Sequence, residues 1–236
     1  MEFITEFINF FLHIDTHLDI LVQNYGIYVY VILFVIIFCE TGLVVTPVLP
    51  GDSLLFATGA TIASTMASSV ATNESGVVST VTSPLNPHVM AIVLIIAAIL
   101  GDATNYFIGH LLGERAFTKY PRIFRPAHLE KTRQFYNKYG GKTIIYARFL
   151  PIVRTFAPFL AGVGAMSYGK FAVYNVVGAC LWISLFLYGG LFFGTIPVVK
   201  NNFTLVILTI ISMSVVPVLL ELVKGRRKAE EVLSKA

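Results

Sequence analysis

The first 114 residues contain no lysine and no arginine. Without a basic n-region no cleavable signal peptide is expected, and the hydrophobic segments read as mature structure. Charge is scarce along the whole chain, at 13% of residues against 56% apolar, where a soluble domain carries roughly a quarter charged residues. So little charge cannot cover a soluble surface, which excludes an ordinary cytosolic enzyme and a disordered chain. Cysteine is almost missing. Cys39 and Cys180 are the only two in 236 residues, and each lies in an apolar run. That excludes a disulfide scaffold and reads as two small buried hydrophobes. There is no His-Glu-x-x-His zinc pattern and no Gly-x-Ser-x-Gly nucleophile elbow. No histidine follows His128, so neither Arg148 nor Arg154 heads an Arg…His phosphatase arrangement. His13 and His17 have a spacing compatible with a metal but no further ligands beside them. The chain is expected to be no enzyme, with no cofactor, no metal site and no nucleic-acid partner.

What is present is apolar sequence at membrane length. A hydrocarbon core about 30 Å thick takes roughly 20 apolar residues in a helix. Phe171–Val199 runs 29 residues without a charge and Phe203–Leu220 runs 18, which predicts transmembrane helices over 171–195 and 203–223. A third span, 89–113, carries one acid, Asp102. Two further segments are broken. Residues 25–63 hold Glu40, Pro47, Pro50, Gly51 and Asp52 between two short apolar arms, and residues 143–166 hold Arg148, Pro151, Arg154 and Pro158 in the same way. Irregular backbone at membrane depth survives only where protein or a water-filled cavity satisfies it. Both segments therefore read as re-entrant hairpins.

Orientation follows from basic residues in the loops. Glu114–Lys142 carries eight of them, and the tail 224–236 is basic too, so loop 114–142 and the C-terminus are expected in the cytoplasm. The Ser/Thr-rich loop 64–88 has none and is expected outside as a flexible connector. Residues 1–22 place Phe3, Phe7, Phe10, Ile14, Leu18 and Leu21 at helical spacing opposite polar positions, which predicts an amphipathic helix lying in the outer interface, with a tilted span as the alternative. The fold class is then all-α and membrane-integral, a single membrane domain over 1–236. It consists of an inverted repeat of re-entrant hairpin plus transmembrane helix, with an amphipathic helix before it and an extra transmembrane helix after it.

Broken segments at matching positions of an inverted repeat point to a transporter site near the midplane. Here their charges are complementary: Glu40 and Asp52 in one, Arg148 and Arg154 in the other. Placing one charge at that depth costs about 2.5–3.5 kcal/mol on insertion scales. The four either pair off and pin the hairpins together or line a polar cavity. Arginine presents a planar fork suited to phosphate or carboxylate, and a poorly solvated carboxyl group takes up a proton more readily than one in water. Arg148 and Arg154 are therefore the candidate anion ligands, and Glu40 and Asp52 the candidate proton carriers. Asp102, Pro47, Pro50, Gly51, Pro151 and Pro158 support them. Gly109 with Gly113, and Gly190 with Gly194, are spaced for close helix packing.

The motifs Phe38-Cys39-Glu40-Thr41-Gly42, Pro47-Val48-Leu49-Pro50-Gly51-Asp52-Ser53, Gly101-Asp102-x-x-Asn105-Tyr106-x-x-Gly109 and Ala147-Arg148-Phe149-x-Pro151-x-x-Arg154-Thr155-Phe156-Ala157-Pro158 resemble those of the DedA family of bacterial inner-membrane proteins. That family stands with the eukaryotic VTT-domain lipid scramblases. Phe135-Tyr136-x-x-Tyr139-Gly140-Gly141-Lys142-Thr143 extends the match to nearly the whole chain, and loop 64–88 is a departure from it. The resemblance implies that Glu40, Asp52, Arg148 and Arg154 are needed for function. It also implies return of undecaprenyl phosphate, a polyprenyl phosphate, across the bacterial inner membrane, linked to the proton motive force. Two other readings stand beside this one: a proton-coupled carrier of small ions or drugs, and a factor for envelope integrity that transports nothing.

Overall fold

The structure, a computed structural model, describes residues 14–43, 51–74, 85–119, 140–210 and 212. Pro47 and Pro50, residues 1–13 of the expected amphipathic helix, the middle of loop 64–88, most of loop 114–142 and most of the expected span 203–223 lie outside them, as does the tail. Every element among the described residues is helical: α1 (Ile14–Tyr25), α2 (Tyr28–Gly42), α3 (Gly51–Glu74), α4 (Pro87–Lys119), α5 (Lys142–Ala147), α6 (Pro151–Leu160), a π-helical turn (Ala161–Ala165), α7 (Tyr168–Phe193) and α8 (Pro197–Asn201). Residues 203–210 form a further helical stretch.

Among the described residues, two helices are long and apolar enough to cross a membrane, Pro87–Leu112 within α4 and Tyr168–Phe193. Their outer faces expose Ile92, Ile96 and Leu111, and Val173, Leu181 and Leu185, which suits a lipid solvent and would be an aggregation hazard in water. The start of α4 is set locally. Asn86 Oδ1 accepts the backbone N–H of His88 at 2.9 Å, and Pro87 stands at the first helical position, where its missing N–H costs nothing.

The helices on either side of the two breaks form two pairs, α2 with α3 and α5 with α6, and each pair precedes a membrane-length helix, α4 or α7. The dipeptide Tyr-Gly opens both: Gly26 (φ 51°) before α2 and Gly140 (φ 64°) before α5, each in the left-handed region open to glycine. Packing is reciprocal. The first helix of each pair lies on the long helix that follows it, α2 on α4 and α5 on α7; the second lies on the long helix of the other half, α3 on α7 and α6 with its π-turn on α4. Helix α3 continues past Ala63, where the sequence predicts a flexible loop, as far as Glu74. No glycine or proline interrupts Ser64–Glu74, and the hydroxyls of Ser64 and Thr65 donate back to the Thr61 carbonyl, so the polar run stays within its own helix. Helix α4 likewise runs beyond Gly113 to Lys119.

The long helices α4 and α7 are antiparallel. His88 meets Tyr188 Oη at 2.8 Å at one end, and the rings of Tyr106 and Phe171 stack at 4.6 Å at the other. One apolar cluster, including Leu33, Ile37, Leu55, Met90, Leu94, Ile183 and Leu187, fills the first end. A second, with Tyr106, Ile144, Ala157 and Phe171, fills the other. Between the two, along both helices, lies a polar layer.

Candidate functional site

The polar layer is built from the breaks in the helices. Helix α2 ends at Gly42, and α3 begins at Gly51 with Asp52 in its first turn, where the exposed amides and the helix dipole favour negative charge. Glu40 uses the same terminus: its Oε1 accepts the backbone N–H of Gly51 at 2.9 Å. A Cβ on Gly51 would stand 2.6 Å from the Glu40 carboxyl carbon, so only glycine lets the carboxylate lie there. On the other side, Pro151 starts α6, and Pro158 lies inside it. Proline at 158 withholds an N–H from the Arg154 carbonyl, and the π-turn follows directly, a feature that recurs at functional sites.

Glu40, Asp52, Asp102, Arg148 and Arg154 are all buried, none more than 6% exposed. They fall into two linked groups. In the first, Arg154 reaches across from α6 to both acids of the other pair, donating through Nη1 to Asp52 Oδ1 at 3.1 Å and through Nη2 to Glu40 Oε1. In the second, Arg148 donates through Nη2 to Asp102 Oδ2 at 2.5 Å, to Asn175 Oδ1, and to the Asn175 carbonyl at 3.4 Å. Asn175 in turn donates to the Ile99 carbonyl of α4 at 3.1 Å. Trp182 stands between the groups. Its Nε1–H donates to Asp52 Oδ1 at 2.8 Å, and its ring faces the guanidinium carbons of Arg154 at 5.2 Å and Arg148 at 6.0 Å, within the range of cation–π attraction. Asn105 ties the two breaks together, donating to the carbonyls of Thr155 at 2.6 Å and Thr41 at 3.3 Å.

The sequence brings forward four charged residues as complementary sets, and the structure places them in one layer. It pairs them unevenly. Arg154 takes both Glu40 and Asp52, while Arg148 takes Asp102, which the sequence treats as a supporting residue. Trp182 and Asn175 do not stand out in the sequence, and Asn105 enters there only as part of a motif, with no role. The available signal was weak: two amides inside apolar spans and the single tryptophan of the chain. Among the described residues, the Oε2 of Glu40 is buried with no hydrogen-bond partner, and no group of three or more His, Cys, Asp or Glu residues could hold a metal ion.

Residues 27–192 match the VTT domain, which takes in the whole polar layer. Across 97% of the chain and 98% of the relative's length, 55% of residues are identical to Protein DedA of Escherichia coli K12. The chain belongs to the DedA family. More distant DedA-family relatives include an uncharacterized membrane protein of Mycobacterium tuberculosis, 37% identical over 84% of this chain and 82% of that one. Another is the inner membrane protein YqjA of E. coli K12, 30% identical over 72% and 69%. No solved structure matches the chain. The helical architecture and these relatives together make the protein a helical membrane protein of the DedA family.

Proposed function

We propose that this protein moves an anionic lipid, a polyprenyl phosphate such as undecaprenyl phosphate, between leaflets of the bacterial inner membrane in exchange for proton binding at its polar layer. Helices α2–α3 and α5–α6 act as re-entrant hairpins of an inverted repeat, with loop 114–142 and the C-terminus on the cytoplasmic side. The reciprocal packing of the two pairs on α4 and α7 supports this architecture.

One observation carries the reading: Arg154 is held at once by two buried carboxylates that belong to the opposite hairpin. A guanidinium so held offers its fork to carboxylates where it could offer it to a phosphate. Protonating Glu40 or Asp52 removes one of the two charges that hold Arg154, and a phosphate monoester can then take the donor so released. When the lipid leaves, the carboxylate gives up its proton and reclaims the arginine. Charge arithmetic favours the same exchange. Among the described residues the layer sets three carboxylates against two guanidiniums, so one bound proton would balance it, and the unpartnered Oε2 of Glu40 offers a place for that proton. Asp102 holds Arg148 toward the same layer as the second phosphate ligand. Arginine stays charged throughout, so the protonation change falls on the acids.

The pairing of both arginines with buried carboxylates also fits a protein that transports nothing and uses the layer as a pin. Purified protein in vesicles separates the two. Labelled polyprenyl phosphate should change leaflet faster than in empty liposomes, and faster still with an inward proton gradient. A rate equal to that of empty liposomes would end the flippase reading.

A further inference from the structure

Trp182 faces both charge groups, through a hydrogen bond to Asp52 and a ring set beside both guanidiniums. It is 1% exposed, and its packing is not that of a generic core aromatic, since its Nε1–H is spent on a carboxylate and its ring on two guanidiniums. The Oδ1 of Asp52 accepts from Arg154 at 3.1 Å and from Trp182 at 2.8 Å. These two donors differ in kind. Arg154 extends from α6 on a long, rotatable side chain, whereas the indole is planar, uncharged at every accessible pH, and seated on the long helix α7. The guanidinium can be withdrawn; the indole cannot.

We infer that Trp182 is a positioning residue for proton and phosphate exchange, a fixed donor that holds Asp52 in place and a ring that holds Arg154 near the layer when their mutual contact opens. This rests on the exchange proposed above. When Arg154 turns to a phosphate, the indole hydrogen bond to Asp52 Oδ1 remains and keeps that oxygen in place. The ring meanwhile offers the departing guanidinium a face to slide over at little cost. The groups facing Asp52 within the layer are Glu40 on α2, Arg154 on α6, Arg148 at the end of α5, Asp102 on α4 and Trp182 itself on α7. Trp182 is the only one of these five that cannot carry a charge, so its loss changes the strength of the contact to Asp52 without changing the charge of the layer.

Two measurements test this on the whole protein in phosphatidylethanolamine–phosphatidylglycerol vesicles. First, Trp182→Phe keeps a ring beside both guanidiniums and removes the donor. Leaflet exchange of labelled polyprenyl phosphate should persist, with the pH of half-maximal rate moved upward by about one unit, the size expected for losing a hydrogen bond to a carboxylate. Trp182→Leu, which also removes the ring, should lower the rate at every pH. A Trp182→Phe profile that coincides with the wild-type profile overturns the inference. Second, Trp182 is the only tryptophan of the chain, so the intrinsic emission of the unaltered protein reports on this position alone. With no lipid substrate present, emission should change as pH is lowered, and the change should be absent in Glu40→Gln/Asp52→Asn. Emission that is flat with pH, or unaltered in its response in that double variant, overturns the inference even if no lipid is moved; leaflet exchange that fails in wild type while the emission response stands would count against the flippase reading alone.

Discussion

At the scale of single residues, the two arginines have different duties. Arg154 is shared by acids from the opposite hairpin and can exchange them, so Arg154→Lys should reduce leaflet exchange by an order of magnitude or more. A point charge cannot span two acceptors as a planar fork does, and wild-type rates for that variant in vesicles would show that no bidentate contact is used. Glu40→Gln retains an oxygen for Gly51 N–H and for Arg154 while abolishing titration. It should leave downhill movement of the lipid intact and remove its response to a pH gradient, which flux measured with and without an imposed gradient would reveal. Arg148, by contrast, is fastened by Asp102 and Asn175 together. Asp102→Asn would leave a buried guanidinium short of its counter-charge, at a cost of roughly 3–5 kcal/mol, seen as a lowered melting temperature in detergent. Asp102→Leu/Arg148→Met should recover much of that stability while leaving exchange impaired. The four charged residues of the breaks were legible in the sequence because charge at membrane depth demands an explanation. Their partners were not, since nothing in the order of residues says that Arg148 would turn to Asp102 rather than to Glu40, or that one tryptophan would stand between.

At the scale of elements, composition and spacing gave the long helices closely. Spans expected over 89–113 and 171–195 correspond to α4 and α7, because an uninterrupted apolar run has few other ways to satisfy its backbone in lipid. Boundaries failed where polar residues support a helix by bonding to their own turn, as Ser64 and Thr65 do. Close packing between the halves depends on small residues. A Cβ on Gly190 would lie 2.8 Å from the backbone carbon of Phe56 in α3, and one on Gly109 would lie 2.9 Å from that of Phe159 in α6. These glycines, noticed in the sequence only for their spacing, form equivalent contacts in the two halves. Gly190→Val should therefore force α3 and α7 apart at a cost of about 1–3 kcal/mol, again read as a fall in melting temperature. Gly169, with open space around its α-carbon, serves as the control position, and Gly169→Ala should change it little.

At the scale of the whole molecule, charge is arranged in three tiers. Acids dominate the first half and bases the second, and a buried group of three carboxylates and two guanidiniums lies between two apolar clusters. If movement of the lipid is linked to protons, its rate in vesicles should rise as the pH on the side of proton entry falls, and clamping both sides to one pH should remove net accumulation. Salt should scarcely alter the buried pairs, since screening acts on exposed charges far more than on interior ones.

The chain's order of manufacture follows from the same distribution. Arg154 lies 102 residues after Asp52 and 114 after Glu40, and no lysine or arginine precedes Arg115. At about 5–20 residues per second on the ribosome, the two acids wait roughly 5–20 seconds for their arginine. A carboxylate cannot be left bare in lipid for that interval, so the nascent first half must either carry those acids in their protonated, neutral form or be kept in a wet insertion channel until the second half arrives. Arg154 would then close the assembly, tying the second half to the two acids that waited for it.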